Sequence, residues 1–159
     1  MCSSDLEAIA ALVAAPPARA RVIPLQVAGA FHTPLMASAA EAFGQDVARW
    51  DSSDPVLPLL SNTDGAPLSS LAPGEHGHGA GTDALARLAH QITSPVRWDL
   101  CQAQLAELGV TGLVELAPGG VLSGLARRTL PDVARVAITT PDDLAPAAAL
   151  VAEHSRGAA

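Results

Sequence analysis

Residues 21–36 read RVIPLQVAGAFHTPLM, and this stretch predicts a strand that leads directly into a helix. Residues 21–28 are rich in Val and Ile, which favour strands. After the short connection 29–32, Thr33 is a suitable N-cap residue. Pro34 fits the first helical position, because no backbone N–H is needed there. A strand that is followed at once by a helix is typical of α/β proteins.

The rest of the chain continues this alternation. Apolar spacing predicts the order helix, strand, helix, strand, two helices, strand, helix, strand and helix. We therefore expect an α/β fold with a largely parallel sheet, and four strands suggest part of a larger sheet. A Pro-, Gly- and Ser-rich segment at 66–82 predicts a surface loop. The predicted strands are 21–28, 56–61, 111–116 and 134–139, and the predicted helices include 83–92 and one that starts at Ser94-Pro95.

Composition and charge exclude several classes of function. The 159 residues carry a net charge of -7, nine arginines, no lysine and no basic stripe, so we expect no nucleic-acid partner. The missing lysine also excludes Schiff-base chemistry and a phosphate-loop lysine. No apolar run approaches the ~20 residues of a membrane span, and the first residues lack the basic region of a secretory signal. Two cysteines in such a chain favour reduced thiols, so we expect a cytoplasmic protein.

His32 is the best candidate for a chemical role. It follows a predicted strand and precedes a capped helix, and such loops hold the reactive groups of α/β proteins. A histidine that only satisfies a turn or a helix end is the alternative, which the local pattern leaves open. His76 and His78 lack suitable partners apart from Glu75, so we expect no metal site. The Pro-Gly-Gly sequence at 118–120 could receive a phosphate, but without a lysine we interpret it as a tight strand-to-helix turn.

Four segments form an ordered set: VAGAFHTPLM at 27–36, LSNTDG at 60–65, HQITSPVRW at 90–98 and ELAPGGVLSGL at 115–125. This set resembles the malonyl-CoA:acyl-carrier-protein transacylases and the acyltransferase domains of polyketide and fatty-acid synthases. The first segment is similar to the surroundings of the family's active histidine, which a methionine follows four residues later. The third and fourth are similar to the family's Gln-Leu-x-x-Pro-Val-x-Trp and Glu-x-x-Pro-Gly-x-x-Leu-x-Gly-Leu stretches.

The resemblance implies roles for three residues. The family transfers acyl groups by a ping-pong mechanism, in which a histidine takes the proton of a serine nucleophile and returns it to the leaving thiol. His32 stands at the position of that histidine. A main-chain carbonyl of a glutamine orients it in the family, and Gln91 stands at the matching place. In polyketide relatives an aromatic residue before the histidine goes with malonyl and a serine with methylmalonyl, so Phe31 would help to select the substrate. A core phenylalanine is the alternative.

The resemblance also implies an activity and its partners. The enzyme would move malonyl from malonyl-CoA to the phosphopantetheine thiol of acyl carrier protein, in fatty-acid biosynthesis and with no other cofactor. An acyltransferase domain of a polyketide synthase and a non-catalytic fragment are the alternatives. The family's serine lies in a Gly-His-Ser-x-Gly elbow, whereas no G-x-S-x-G occurs here and Ser123 has the wrong spacing. We therefore expect a truncated C-terminal portion that is inactive alone. Residues 1–28 would end a ferredoxin-like subdomain, and 29–159 would belong to the hydrolase-like acyltransferase domain.

Overall fold

The computed structural model describes residues 3–24, 29–68 and 79–155. The chain divides into two compact units, Met1–Thr63 with Pro67–Val96 and Asp64–Ala66 with Arg97–Ala159. The predicted boundary after residue 28 and the ferredoxin-like character of residues 1–28 stay predictions. The predictions for residues 25–28 and for the two histidines of the 66–82 segment, His76 and His78, lie outside the described residues.

The described part of the first unit contains three helices and one pair of strands. Helix α2 packs against α3, where Gly44 and Ala89 allow a close approach. A short 3-10 helix, Pro34–Met36, leads into α2 and begins as predicted, with Thr33 as its N-cap residue. The strands β1 and β2 pair in antiparallel register, Leu59 opposite Leu68. The bounds are α1 Ser3–Ala14, α2 Ala37–Val47, β1 Leu59–Leu60, β2 Pro67–Leu68 and α3 Ala80–Gln91.

The second unit is a strand–helix–strand arrangement with a helix before it and one after it. Strands β3 and β4 are parallel, with Gly112 opposite Ala134 and Glu115 opposite Ala137. Helix α5 connects them, as parallel strands require a crossover, and α6 packs on both strands. The core consists mainly of small and aliphatic side chains, namely Cys101, Ala126, Leu130 and Ala147. The bounds are α4 Trp98–Glu107, β3 Gly112–Glu115, α5 Val121–Thr129, β4 Ala134–Ala137 and α6 Leu144–His154.

The α/β class is confirmed, but two strand predictions differ from the structure. Residues 21–24 form no strand, and the remainder of the predicted strand 21–28 is not described. The predicted strand 56–61 is reduced to β1, because Pro58 has no backbone N–H to donate to a ladder. Its partner β2 lies within the segment that was predicted to be a loop. The β1–β2 pair is antiparallel, whereas β3 and β4 are parallel.

Two helix starts also differ from the prediction. Helix α3 begins at Ala80 instead of residue 83, because the Asp54 carboxylate accepts a hydrogen bond of 2.8 Å from the N–H of Gly81. The helix predicted from Ser94-Pro95 begins at Trp98. The carbonyl oxygens of Ser94 and Pro95 accept hydrogen bonds from the Gln91 side chain instead of joining a first helical turn.

Many large apolar side chains are exposed. The exposed fraction reaches 97% at Val56, 74% at Leu116 and 73% at Val121. Val121 is the first residue of α5, whereas Val56 and Leu116 lie outside the helices and strands. Among the residues that the structure describes, no helix is long and apolar enough to cross a membrane.

Candidate active site

His32 has an unusual backbone conformation. Its φ is 64°, in the left-handed region, which non-glycine residues adopt rarely although histidine tolerates it better than most. Its backbone N–H donates a hydrogen bond of 2.8 Å to the carbonyl oxygen of Ile92, just beyond the end of α3. Residues held in such conformations are often functional, since the surrounding contacts must stabilise them.

The turn around His32 is closed by Thr33. Its hydroxyl donates to the carbonyl oxygen of Ala30 at 2.7 Å and accepts from the N–H of Leu35 at 3.3 Å. One side chain therefore joins the residue before Phe31 to the first turn of the following helix. This explains locally why a threonine and a proline follow the histidine.

The imidazole of His32 is held by Gln91, which is 59 residues further along the chain. His32 Nδ1 lies 2.8 Å from the Gln91 carbonyl oxygen, which is the contact that the family resemblance implied. A carbonyl oxygen can only accept, so Nδ1 carries the proton and Nε2 of the neutral ring is left as a base. The geometry suits a general base, while the catalytic role of both residues stays a prediction.

The ring of His32 lies at the C-terminal end of α3. Gln91 is the last residue of α3, and Ile92 follows it. The last carbonyls of a helix carry a partial negative charge of about half an elementary charge. Both carbonyls accept hydrogen bonds from His32, one from the ring and one from the backbone. The ring and the backbone N–H of His32 are therefore both held at the C-terminal end of α3.

Phe31 lies at the surface beside His32. It is 51% exposed, and its ring centroid lies 6.4 Å from that of His32 at an interplanar angle of 55°. This exposure argues against a core phenylalanine. A Cβ added at Gly29 would lie 3.3 Å from the Phe31 ring and 3.4 Å from the sulfur of Met36. A side chain at position 29 would therefore crowd both the aromatic ring and the methionine sulfur.

The other sequence candidates do not form a second site in the described structure. No group of three His, Cys, Asp or Glu residues within the described ranges could hold a metal ion. Ser123 lies within the first turn of α5. The N–H groups at the start of α5 donate to the carboxylate of Glu115, which occupies the position that a phosphate would take.

Sequence reasoning missed two contributors to the His32 environment. The carbonyl of Ile92 accepts the His32 backbone N–H, and the hydroxyl of Thr63 donates to Gln91 Oε1 at 3.4 Å. Thr63 belongs to the segment at 60–65, which is part of the resemblance to the family. The resemblance assigned no role to any residue of this segment. The spacing between these segments predicts neither contact, because both depend on tertiary packing.

Comparison with known proteins connects this geometry to a family. Over 144 residues, 91% of its length, the chain is 46% identical to the malonyl CoA-acyl carrier protein transacylase of Mycobacterium tuberculosis. The chain belongs to the malonyl-CoA:acyl-carrier-protein transacylase family. It is also 35% identical over 142 residues to the transacylase of Synechocystis. The chain spans less than half of these relatives, 44% and 45% of their lengths, which is consistent with the predicted C-terminal portion. No protein-family model matches the chain.

Solved structures of the family have the same fold. The crystal structure of the transacylase from Mycobacterium tuberculosis superposes with a TM-score of 0.72 at 45% identity, over 87% of this chain and 43% of that one. A malonyl-transacylase in complex with a type II polyketide acyl-carrier protein gives a TM-score of 0.70 at 27% identity, over 91% of this chain and 43% of that one. Both confirm the predicted acyltransferase fold.

Proposed function

We propose that this chain provides the histidine-bearing part of an acyltransferase. That enzyme transfers malonyl from malonyl-CoA to the phosphopantetheine thiol of acyl carrier protein. The observation that supports the proposal is the 2.8 Å contact between His32 Nδ1 and the Gln91 carbonyl in a chain homologous to malonyl-CoA transacylases. The nucleophilic serine would come from polypeptide outside these 159 residues, because the sequence contains no G-x-S-x-G.

In each half of the proposed reaction, His32 takes a proton from the attacking group and gives it to the leaving group. Its Nε2 takes the proton of the serine hydroxyl as the serine oxygen bonds to the thioester carbon. The carbon–sulfur bond then breaks, and the same proton passes to the leaving thiol of CoA. In the second half, His32 takes the proton of the carrier-protein thiol as the thiol sulfur bonds to the acyl carbon. The bond between that carbon and the serine oxygen then breaks, and His32 returns the proton to the serine oxygen. No electrons are gained or lost in either half, and the proposal includes no resident cofactor.

An acyltransferase of polyketide synthesis is the second candidate. The chain is 34% identical over 110 residues to the polyketide biosynthesis protein ThaF of Burkholderia thailandensis, of which it covers 9%. The complex of a type II polyketide acyl-carrier protein with its malonyl-transacylase is a further structural neighbour. Both candidates use the same histidine and the same acyl donor, and they differ in the carrier protein that receives malonyl. A cytoplasmic location remains part of the proposal.

The test follows labelled malonyl from CoA to purified carrier protein. We expect no transfer by the 159-residue chain alone, since losing the nucleophile of a comparable catalytic unit costs on the order of 10⁶ in turnover. Fusion to a segment with a Gly-His-Ser-x-Gly elbow, taken from a relative, should give transfer. A fatty-acid carrier and a polyketide carrier assayed side by side would distinguish the two candidates.

His32 is then tested within the fused enzyme. The His32→Ala variant should lose about 10²–10⁴-fold in rate, the usual contribution of a general base. The matched controls His76→Ala and His78→Ala should retain the rate, because neither belongs to the proposed site. Efficient transfer by the unfused chain, or an active His32→Ala enzyme, would overturn the proposal.

A further inference from the structure

The side chain of Gln91 makes its own hydrogen bonds, separate from those of its carbonyl. Its Nε2 donates to the carbonyl oxygens of Ser94 at 2.8 Å and Pro95 at 3.1 Å. Its Oε1 accepts from the hydroxyl of Thr63 at 3.4 Å. The amide is thus satisfied by three partners, two within the segment that follows α3 and one from the turn after β1.

These bonds fix the course of the backbone where it leaves α3. The carbonyls of Ser94 and Pro95 point towards the Gln91 amide, while those of Gln91 and Ile92 point towards His32. Without the amide, the chain from 91 to 95 would lose two of the contacts that hold this turn. The direction of the two carbonyls that hold His32 would then be less well defined.

A main-chain carbonyl alone does not require a glutamine. Any residue at position 91 offers the same carbonyl oxygen to His32 Nδ1. Only a side-chain amide of this length both donates twice and accepts once at the observed distances. A glutamate has no donor when ionised, and an asparagine is one methylene shorter.

We propose that Gln91, supported by Thr63, is a positioning residue whose side chain holds in place the main-chain carbonyl that selects the Nδ1–H tautomer of His32. It acts through the 91–95 turn and does not touch the reacting atoms. The catalytic consequence rests on the proposed function, because it is this tautomer that leaves Nε2 free as a base. The structural part can be measured on the chain without any malonyl transfer.

The experiment is ¹⁵N NMR of the His32 ring in the 159-residue chain at a pH where the ring is neutral. The wild type should show a protonated Nδ1 and an unprotonated Nε2. Gln91→Met keeps the carbonyl and the approximate side-chain length but removes all three amide bonds. Because the carbonyl remains but is held less firmly, we expect its ratio of Nδ1–H to Nε2–H tautomer to fall several-fold, below the roughly tenfold decrease that complete loss of one hydrogen bond at the ring would give. Hydrogen exchange of the His32 backbone N–H should accelerate in parallel.

Thr63 variants provide a milder perturbation in case Gln91→Met fails to fold. Thr63→Val removes only the bond to Oε1, and a decrease of about twofold in the ratio is expected. Thr63→Ser, which keeps the hydroxyl, should restore the wild-type ratio. Thr93→Val is the matched control, because the Thr93 hydroxyl donates to the His90 carbonyl in the same turn and does not contact the Gln91 side chain.

Two results would overturn the positioning role. One is an unchanged tautomer ratio in folded Gln91→Met, or in Thr63→Val if Gln91→Met is unfolded. The other is an equal change in Thr93→Val, which would indicate general loosening of the turn. Either leaves the proposed function intact, whereas an active His32→Ala enzyme refutes that function without affecting the NMR result.

Discussion

The carboxylate of Glu115 accepts a hydrogen bond of 2.8 Å from the backbone N–H of Ser123. A second bond, from the N–H of Leu122, measures 2.9 Å. Glu115 ends β3 and is buried, so its charge ties the strand to the N-terminus of α5. Burial alone would raise the pKa of this carboxyl, but hydrogen bonds from Ser123, Gly120 and Leu122 outweigh burial and lower the pKa from 4.5 to about 2. The turn is therefore stabilised by the ionised form.

Glu115→Gln should destabilise the chain in a pH-dependent manner. The variant loses the charge at the helix N-terminus, and we expect a decrease of roughly 2 kcal/mol in the free energy of unfolding at neutral pH. Because the folded pKa is lowered, the stabilisation by Glu115 is fully present above pH 4.5 and disappears as the pH falls towards 2. The difference between wild type and variant in urea unfolding should therefore shrink over that range.

A matched control separates this effect from general acid sensitivity. Glu107→Gln removes a carboxylate from the exposed end of α4 and should change the stability little at any pH. The N–H groups of Thr139 and Thr140 also hold the pKa of Asp143 at about 2, so both variants should keep that part of the acid dependence. A constant difference between wild type and Glu115→Gln from pH 7 to 2 would contradict the assignment.

Gly65 and Gly109 of the second unit have similar φ angles, but substitution by alanine should destabilise the chain more at Gly65 than at Gly109. Gly65 has a φ of 73°, and an added Cβ would lie 2.6 Å from the Leu100 carbonyl carbon. Gly109 has a φ of 68° with nothing within 4 Å. Gly109→Ala should cost about 1 kcal/mol of stability from backbone strain alone. Gly65→Ala should cost about 2–4 kcal/mol, since a clash with backbone atoms is added. Thermal or urea unfolding gives both values, and equal losses would show that the contact at Gly65 relaxes freely.

Local sequence signals predicted most of the second unit. The predicted strand 111–116 appears as β3 without its first and last residues, and the predicted strand 134–139 appears as β4 without its last two residues. Gly109 follows the end of α4, where a glycine is common, and the N–H groups of Gly109 and Val110 bond to carbonyls of the last helical turn. Each of these features depends on residues that are neighbours in the sequence. The local pattern of residue types was therefore sufficient to predict it.

The first unit depends more on contacts between distant residues. Helix α3 begins early because Asp54, 27 residues before Gly81, provides its N-terminal cap. The pairing of β1 with β2 likewise depends on a tertiary contact. The Pro-, Gly- and Ser-rich composition of residues 66–82 does not indicate that Pro67 and Leu68 form a strand. The contact between His32 and Gln91 was predictable only from the resemblance to a family, because no spacing or composition in the sequence indicates that these two residues are in contact.

The exposed apolar surface of the second unit should bind hydrophobic dyes. Leu116 and Val121 are among the most exposed large apolar residues, and they line a shallow hollow with Trp98 and Leu122. Replacing both with serine should reduce the fluorescence of a bound dye while changing the stability by less than about 0.5 kcal/mol, as exposed side chains contribute little to folding. Leu144→Ser removes an exposed leucine that is not part of this hollow and serves as the control. Absence of dye binding by the wild-type chain would contradict the prediction.

Phe31 is expected to influence which acyl group is transferred. Its exposed ring lies beside the His32 imidazole, so it can occupy the space that an α-methyl branch of the acyl group would need. Phe31→Ser in the fused enzyme should therefore raise the ratio of methylmalonyl to malonyl transfer. One methyl group in an apolar pocket is worth about 1–3 kcal/mol, so we expect a change between about tenfold and 200-fold.

The measurement is competition between labelled malonyl-CoA and methylmalonyl-CoA for a limiting amount of carrier protein, which reports the ratio of the two kcat/KM values directly. Phe43→Ser is the matched control, because Phe43 packs edge-to-face on Trp50 with ring centroids 5.9 Å apart. That variant should lose stability and keep the selectivity of the wild type. Reduced transfer of both acyl groups in Phe31→Ser at an unchanged ratio would show that Phe31 supports the His32 turn without selecting the substrate. A shifted ratio in Phe31→Ser, with the wild-type ratio kept in Phe43→Ser, would assign substrate choice to the residue directly before His32.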